Sequence, residues 1–143
     1  MNGDENRYHL YSVRARYADT DPMGIVYHGR YFEWFEAART EYLRSMGLPY
    51  KRIEEQGISL PVVEAYCRYR RPVVYDESVR VKTVLKEASR SRIHLGYEVL
   101  GEEDDIVRVE GYTIHCYVSR NGRPIRAPKE LFDFLNTLFS STE

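Results

Sequence analysis

Hydrophobic and polar positions recur with two different periods along this chain. Over Tyr8 to Tyr17, Val13, Ala15 and Tyr17 alternate with Ser12, Arg14 and Arg16, the two-residue period of a half-buried strand. From Tyr31 to Met46 the period lengthens. Tyr31, Phe35, Ala38, Tyr42 and Met46 recur at helical spacing, and Phe32, Trp34 and Leu43 widen the stripe. Glu33, Glu36, Arg39, Glu41 and Arg44 fall between them, and Gly47 with Pro49 predicts the stop. A short polar helix is expected over Tyr50 to Gln56. Strands rich in Val, Ile, Tyr and Thr follow over Ile58 to Arg70, Ser78 to Glu87, Arg92 to Leu100 and Ile106 to Ser119. Gly101 to Asp105 and Asn121-Gly122 are the turns between them. A last strand near Pro124 to Arg126 leads into a helix that starts at Pro128. A helix with so wide an apolar surface has to be wrapped, so the pattern predicts an α+β domain: an antiparallel sheet curled around one long central helix.

Composition narrows this picture. A chain of 143 residues fits a single domain over 1–143 and can bury a core without staples. Hydrophobic content of 43% with 30% charge is that of an ordinary globular protein. A net charge of −1 gives no electrostatic grip on nucleic acid or a membrane surface. No apolar run is long enough to span a bilayer, and Met1 to Arg7 is too polar for a secretory signal, so a cytoplasmic protein is expected. Cys67 and Cys116 stand alone among strand-forming neighbours and read as buried reduced thiols, and no histidine sits at zinc-ligand spacing.

The richest segment runs from Tyr17 to Tyr31: Tyr-Ala-Asp19-Thr-Asp21-Pro-Met-Gly24-Ile-Val-Tyr-His28-Gly-Arg-Tyr31. It sets two carboxylates, a Pro-x-Gly turn and a histidine just before the long helix. A helix N-terminus presents unpaired N–H groups and partial positive charge, so a carboxylate beside it is placed to attack a carbonyl. The same residues also make good turn chemistry, with Asp19 and Asp21 as Asx-turn and capping groups. Tyr17 reads equally as the last core residue of its strand.

Tyr17-x-Asp19-Thr20-Asp21-Pro22-x-Gly24-Ile25-Val26-Tyr27-His28, then Tyr31 and Glu36-x-x-Arg39, resembles the hotdog-fold acyl-CoA thioesterases. The 4-hydroxybenzoyl-CoA thioesterases and their Tol-Pal-associated relatives are the nearest group in pattern. The resemblance covers roughly Tyr8 to Leu135 and departs at Arg30, where many relatives carry Asn. It implies Asp21 as the catalytic carboxylate, with His28 and Tyr17 in the same site and Asp19 as an orienting group. Backbone N–H groups near His28 and Gly29 would hold the carbonyl oxygen. The substrate implied is an acyl-coenzyme A, with no cofactor and no metal. Arg90, Arg92 and Arg126 are candidates for its phosphates, and they read equally as solvated charges at a sheet edge. The resemblance further implies a homodimer or homotetramer with shared sites, in which residues from Ile58 to Val63 complete the partner's pocket. A non-catalytic hotdog module that binds acyl groups or a partner stays open, as does a dehydratase on the same fold. A metal-dependent phosphatase or glycosyltransferase reading of Asp-x-Asp fits poorly, since neither the preceding strand nor the following Thr is in place. His9, His94 and His115, inside expected strands, read as structural.

Overall fold

The structure, a computed structural model, describes residues 8–48 and 50–138. Pro49 and the polar Met1 to Arg7 segment lie outside the described residues. The elements in order are β1 (Tyr8–Arg14), a 3-10 turn (Tyr17–Asp19), α1 (Arg30–Ser45), α2 (Tyr50–Glu55), β2 (Val62–Tyr69), β3 (Ser78–Ala88), β4 (Arg92–Gly101), β5 (Val107–Val118), β6 (Pro124–Ile125) and α3 (Lys129–Thr137). The sheet is antiparallel in the order β1-β3-β4-β5-β2, with β6 paired to β5. No helix among the described residues is long and apolar enough to cross a membrane.

The helical stripe faces the sheet as its period requires. Phe35, Ala38 and Tyr42 are fully buried, and Tyr31, Trp34 and Leu43 join them. Each large apolar side chain taken from water contributes about 1.5–3 kcal/mol, so this face fixes α1 against the sheet. The helix backbone packs on β1 and β3, and the Phe35 ring reaches β5 at Gly111, where an added Cβ would collide with the Tyr66 carbonyl and come within 2.9 Å of the ring. Glycine there lets Phe35 lie flat on Tyr97, with centroids 4.4 Å apart and planes 4° from parallel.

Several expectations change at this level. The first strand ends at Arg14, and Tyr17 opens the 3-10 turn, where its ring is 79% exposed rather than in the core. The strand expected from Ile58 begins only at Val62. Ile58 and Leu60 are core residues of the approach to it, and Ser59 forms a single bridge with Val118. Cys67 and Cys116 are half-buried free thiols. Arg39, which falls between the apolar positions in sequence, is buried because it lies one helical turn beyond Phe35.

Arg39 meets His115, which is fully buried on β5. Arg39 Nη1 lies 3.2 Å from His115 Nδ1, which is 3.0 Å from the Leu60 carbonyl oxygen. His115 Nε2 lies 2.8 Å from Thr113 Oγ1, which in turn is 2.8 Å from the Tyr97 hydroxyl. Burial, and then the Arg39 charge, outweigh the Leu60 carbonyl and depress the His115 pKa from 6.5 to about 4. The folded state therefore holds His115 neutral while the unfolded chain protonates it near pH 6.5. Its contribution is fully present above that pH and is lost as pH falls toward 4, on the order of 3 kcal/mol in all. Thermal melts from pH 7.5 to 4.5 should show Tm falling below pH 6.5 in the wild type. His115→Gln, less stable at pH 7, should show a shallower fall; equal slopes would assign the acid sensitivity to other groups.

Candidate active site

The loop before α1 is built as a series of short closures. Asp21 opens a turn in which the Gly24 N–H donates to the Asp21 carbonyl at 2.9 Å and the Met23 N–H donates to Asp21 Oδ1 at 2.8 Å. Gly24 sits at φ +82°, a conformation that L side chains rarely adopt, so this turn depends on glycine. The chain is then pinned across to the segment after β2: the Val26 N–H donates to the Val73 carbonyl at 2.8 Å, and Ile25 bridges Val74. A second turn, closed by the Arg30 N–H donating to the Tyr27 carbonyl at 2.9 Å, delivers the chain into α1.

The two aspartates have opposite environments. Asp19 is 2% exposed and receives Arg16 three times: the backbone N–H at 2.9 Å, Nε at 3.3 Å and Nη2 at 3.1 Å. Burial alone would raise its pKa. The Arg16 hydrogen bonds and charge, with Arg30 behind them, outweigh burial and hold the carboxyl below the usual carboxylate range. Arg30, at the departure from the pattern, ties the helix start to this turn. Its Nη1 donates to both Glu33 oxygens at 3.0 and 3.1 Å, and its Nε lies 3.9 Å from Asp19 Oδ1. Asp19 is therefore committed to holding the loop. Asp21 is half-buried, and its Oδ2 accepts from no described group.

Asp21 and His28 line one cavity of about 300 Å³, together with Val26, Tyr31, Tyr69 and Arg71. Tyr31 is buried, and burial pushes its phenol up to about 12. The α1 N-terminus opens beside this cavity, capped by Gly29, which offers no side-chain hydrogen bond. Among the described residues, no protein group accepts from the N–H of His28 or Gly29. A carboxylate oxygen with no described partner and the His28 residue thus border the same space beside the positive end of α1, an arrangement suited to attack on a carbonyl. Across α1, a second cavity of about 430 Å³ is lined by Phe32, Glu36, Arg39, Pro61, Tyr97 and Thr113. Among the described residues, no group of three or more His, Cys, Asp or Glu side chains is arranged to hold a metal ion.

Not every expected residue reaches the cavity. Tyr17 does not line it; its ring packs edge-on against Tyr75 with centroids 5.9 Å apart, because the 3-10 turn carries it out of the strand. Arg90, Arg92 and Arg126 lie elsewhere too. The Asp21 loop is bonded to residues just before β3, whereas Arg90 follows its last residue, a strand length of about 35 Å away. Arg90 sits in the turn rather than on the strand, and its Nε donates to the Ala127 carbonyl at 2.8 Å, which puts it beside exposed Arg126 and near exposed Arg92. The arginines form a group, but within one chain it faces away from Asp21. Conversely, Tyr69, Arg70, Arg71 and Pro72 line the Asp21 cavity without a local signal in sequence. They arrive there only because β2 runs back past the helix start.

Comparisons with known proteins identify the family. A family model described as the thioesterase-like superfamily matches residues 15–135. A putative esterase of Aquifex aeolicus is 39% identical over 126 residues, covering 88% of this chain and 96% of that protein. The putative acyl-CoA thioesterase YneP of Bacillus subtilis is 30% identical over 123 residues, covering 85% of this chain and 88% of its own. The crystal structure of a DHNA-CoA thioesterase from Staphylococcus aureus superposes with a TM-score of 0.84 at 35% identity, over 93% of this chain and 89% of the other. The antiparallel sheet curled around α1 is the hotdog fold, and the chain belongs to the thioesterase-like superfamily.

Proposed function

We propose that this protein is an acyl-CoA thioesterase, with Asp21 as its catalytic carboxylate. The observation that carries the reading is the free Asp21 Oδ2 sharing a cavity with the α1 N-terminus. The backbone N–H groups near His28 and Gly29 hold the thioester carbonyl oxygen, and the helix dipole favours the charge that develops there. Asp21 either takes a proton from an attacking water or attacks the carbon itself. In the first route a C–O bond forms to water, the tetrahedral intermediate collapses, and the C–S bond breaks. In the second a mixed anhydride forms as the thiolate leaves, and water then hydrolyses it. Both routes give the free acid and coenzyme A, consume only water, and need no cofactor. His28, at the cavity wall, is placed to contact the thioester or the water. Relatives named as acyl-CoA and DHNA-CoA thioesterases support this reading. Coenzyme A thioesters are intracellular metabolites, which supports a cytoplasmic site of action.

We propose further that two copies pair along β2, so that the remote arginines of one chain serve the Asp21 site of another. Among the described residues no strand lies on the outer side of β2, and Val62, Val63, Tyr66 and Tyr69 are all large and exposed. An open edge of this kind is a template for a second strand.

Free-thiol release from a panel of aromatic and graded-length acyl-CoAs tests the first proposal. Asp21→Asn should lower kcat by about 10²–10⁴ with an unchanged melt, the range for loss of a general base. Full activity in the folded variant would remove Asp21 from the mechanism. A folded wild type that turns over no panel member would point to an acyl-binding module. For the assembly, light scattering should give a dimer or tetramer. A Val62→Lys/Val63→Lys variant should shift to monomer and lose at least tenfold in kcat/KM. A monomeric wild type with full turnover would overturn the shared site.

A further inference from the structure

His28 stands on the wall of the Asp21 cavity, yet its imidazole has no hydrogen-bond partner among the described residues. Two rings touch it instead. Tyr27 lies against it with centroids 4.3 Å apart and planes at 37°, and Tyr69 meets it edge-on at 6.3 Å and 81°. Edge-on contact at such a distance is a favoured aromatic arrangement. Tyr27 is 49% exposed, so it is a weak anchor. Tyr69 is the firmer one, because its ring rests on buried Tyr31 with centroids 5.6 Å apart.

The same residue also holds the backbone. Tyr69, the last residue of β2, donates its hydroxyl to the His28 carbonyl at 3.1 Å. The chain is pinned at Val26 by the Val73 carbonyl and enters α1 at Arg30. Among the described residues, the Tyr69 hydroxyl is the hydrogen bond that ties the intervening Tyr27, His28 and Gly29 to the sheet. Fixing a carbonyl fixes the rigid peptide plane that leaves its Cα. The direction in which the His28 side chain departs is thereby set as well. His28 is exposed, so an imidazole released from these contacts turns out to solvent.

We infer that Tyr69 is a positioning residue for His28, holding its carbonyl and its ring so that the imidazole stays on the wall of the Asp21 cavity. The inference rests on the thioesterase reading for its effect on rate, but not for its effect on His28. Burial, then the neighbouring Cys67, pushes the Tyr69 phenol up to about 12, so it remains a donor throughout the neutral range.

Tyr69→Phe removes the hydroxyl and keeps the ring, whereas Tyr69→Leu removes both. Tyr69 is 47% exposed, so either change spares the core. One neutral hydrogen bond is worth about 3–10-fold, and misplacing a reacting group by about 1 Å reaches about 10²-fold. The expected kcat is about 3–10-fold lower in Tyr69→Phe and about 10–100-fold lower in Tyr69→Leu. His28→Ala should lower kcat by about 10²–10⁴, the range for loss of a general acid or base. In that background either Tyr69 change should cost less than about twofold more, because the group it positions is gone. A purely structural role would instead multiply the losses. Independently of turnover, NMR at about pH 8.5, where imidazole is neutral, should show NOEs between the His28 and Tyr27 ring protons in the wild type. These should weaken in Tyr69→Leu, the His28 signals being assigned by their absence from His28→Ala. Multiplying losses, a His28→Ala protein with wild-type kcat, or unchanged His28 NOEs in folded Tyr69→Leu would overturn the inference. Weakened NOEs in a protein whose wild type hydrolyses no acyl-CoA would uphold the positioning and overturn only the thioesterase reading.

Discussion

The contact between α1 and the sheet at Gly111 is the constraint from which the rest of the structure follows. With no side chain at that point, the Phe35 ring lies flat on Tyr97 while the helix backbone packs on β1 and β3. A long helix held this tightly at its middle is fixed at both ends. Tyr31 is then buried one turn before Phe35, so the N-terminal turn is anchored by the same apolar stripe. The donors at that end therefore occupy a set position in the molecule, as an oxyanion site requires. A helix end that moved would lose the preorganisation on which such electrostatic stabilisation depends. Packing and chemistry are joined here by a single side of one helix.

Two aspartates two residues apart show how environment divides one residue type into two roles. Asp19 is taken out of service by burial and by Arg16 and Arg30, and what it gives in return is a rigid approach to the helix. Asp21 keeps one oxygen in a turn contact to Met23 and leaves the other to the cavity. A carboxylate so oriented does not have to break an ion pair before it reacts. Arg30 is part of the same division. As the first residue of α1 it bonds Glu33 and lies beside Asp19, so the helix start is fastened to the 3-10 turn by side chains where no side-chain cap exists.

Much of this was legible in the sequence, because the helix, the sheet and the Asp21 loop are encoded by local period and turn chemistry. The stripe from Tyr31 to Tyr42 and the Pro-x-Gly turn need only neighbours within a few residues to be read. What was not legible depends on distant pairing. Tyr17 looked like a strand residue because the alternation continues through Arg16, and only the Arg16–Asp19 closure turns the chain away. The Arg90, Arg92 and Arg126 group was identifiable as a cluster of charges, but its separation from Asp21 is set by the length of β3. Tyr69 carries no local signal at all. Its importance arises from β2 crossing the sheet to end beside a turn 41 residues earlier.

That position of β2 ties assembly to chemistry. The strand has one side on β5, one side open, and a last residue whose hydroxyl reaches the peptide at the helix start. Its approach, from Leu60 through Pro61 and Val62, forms a wall of the second cavity, and the Leu60 carbonyl bonds buried His115. A second chain added along the open edge would therefore act on three things at once: the cavity wall, the His115 network behind it, and the aim of the Tyr69 hydroxyl. An isolated edge strand is held by hydrogen bonds on one side only and is among the easiest parts of a sheet to open. Pairing on the other side removes that freedom. The turn that leads into α1, which the Tyr69 hydroxyl holds at the His28 carbonyl, is then better defined in an assembled pair than in a single chain.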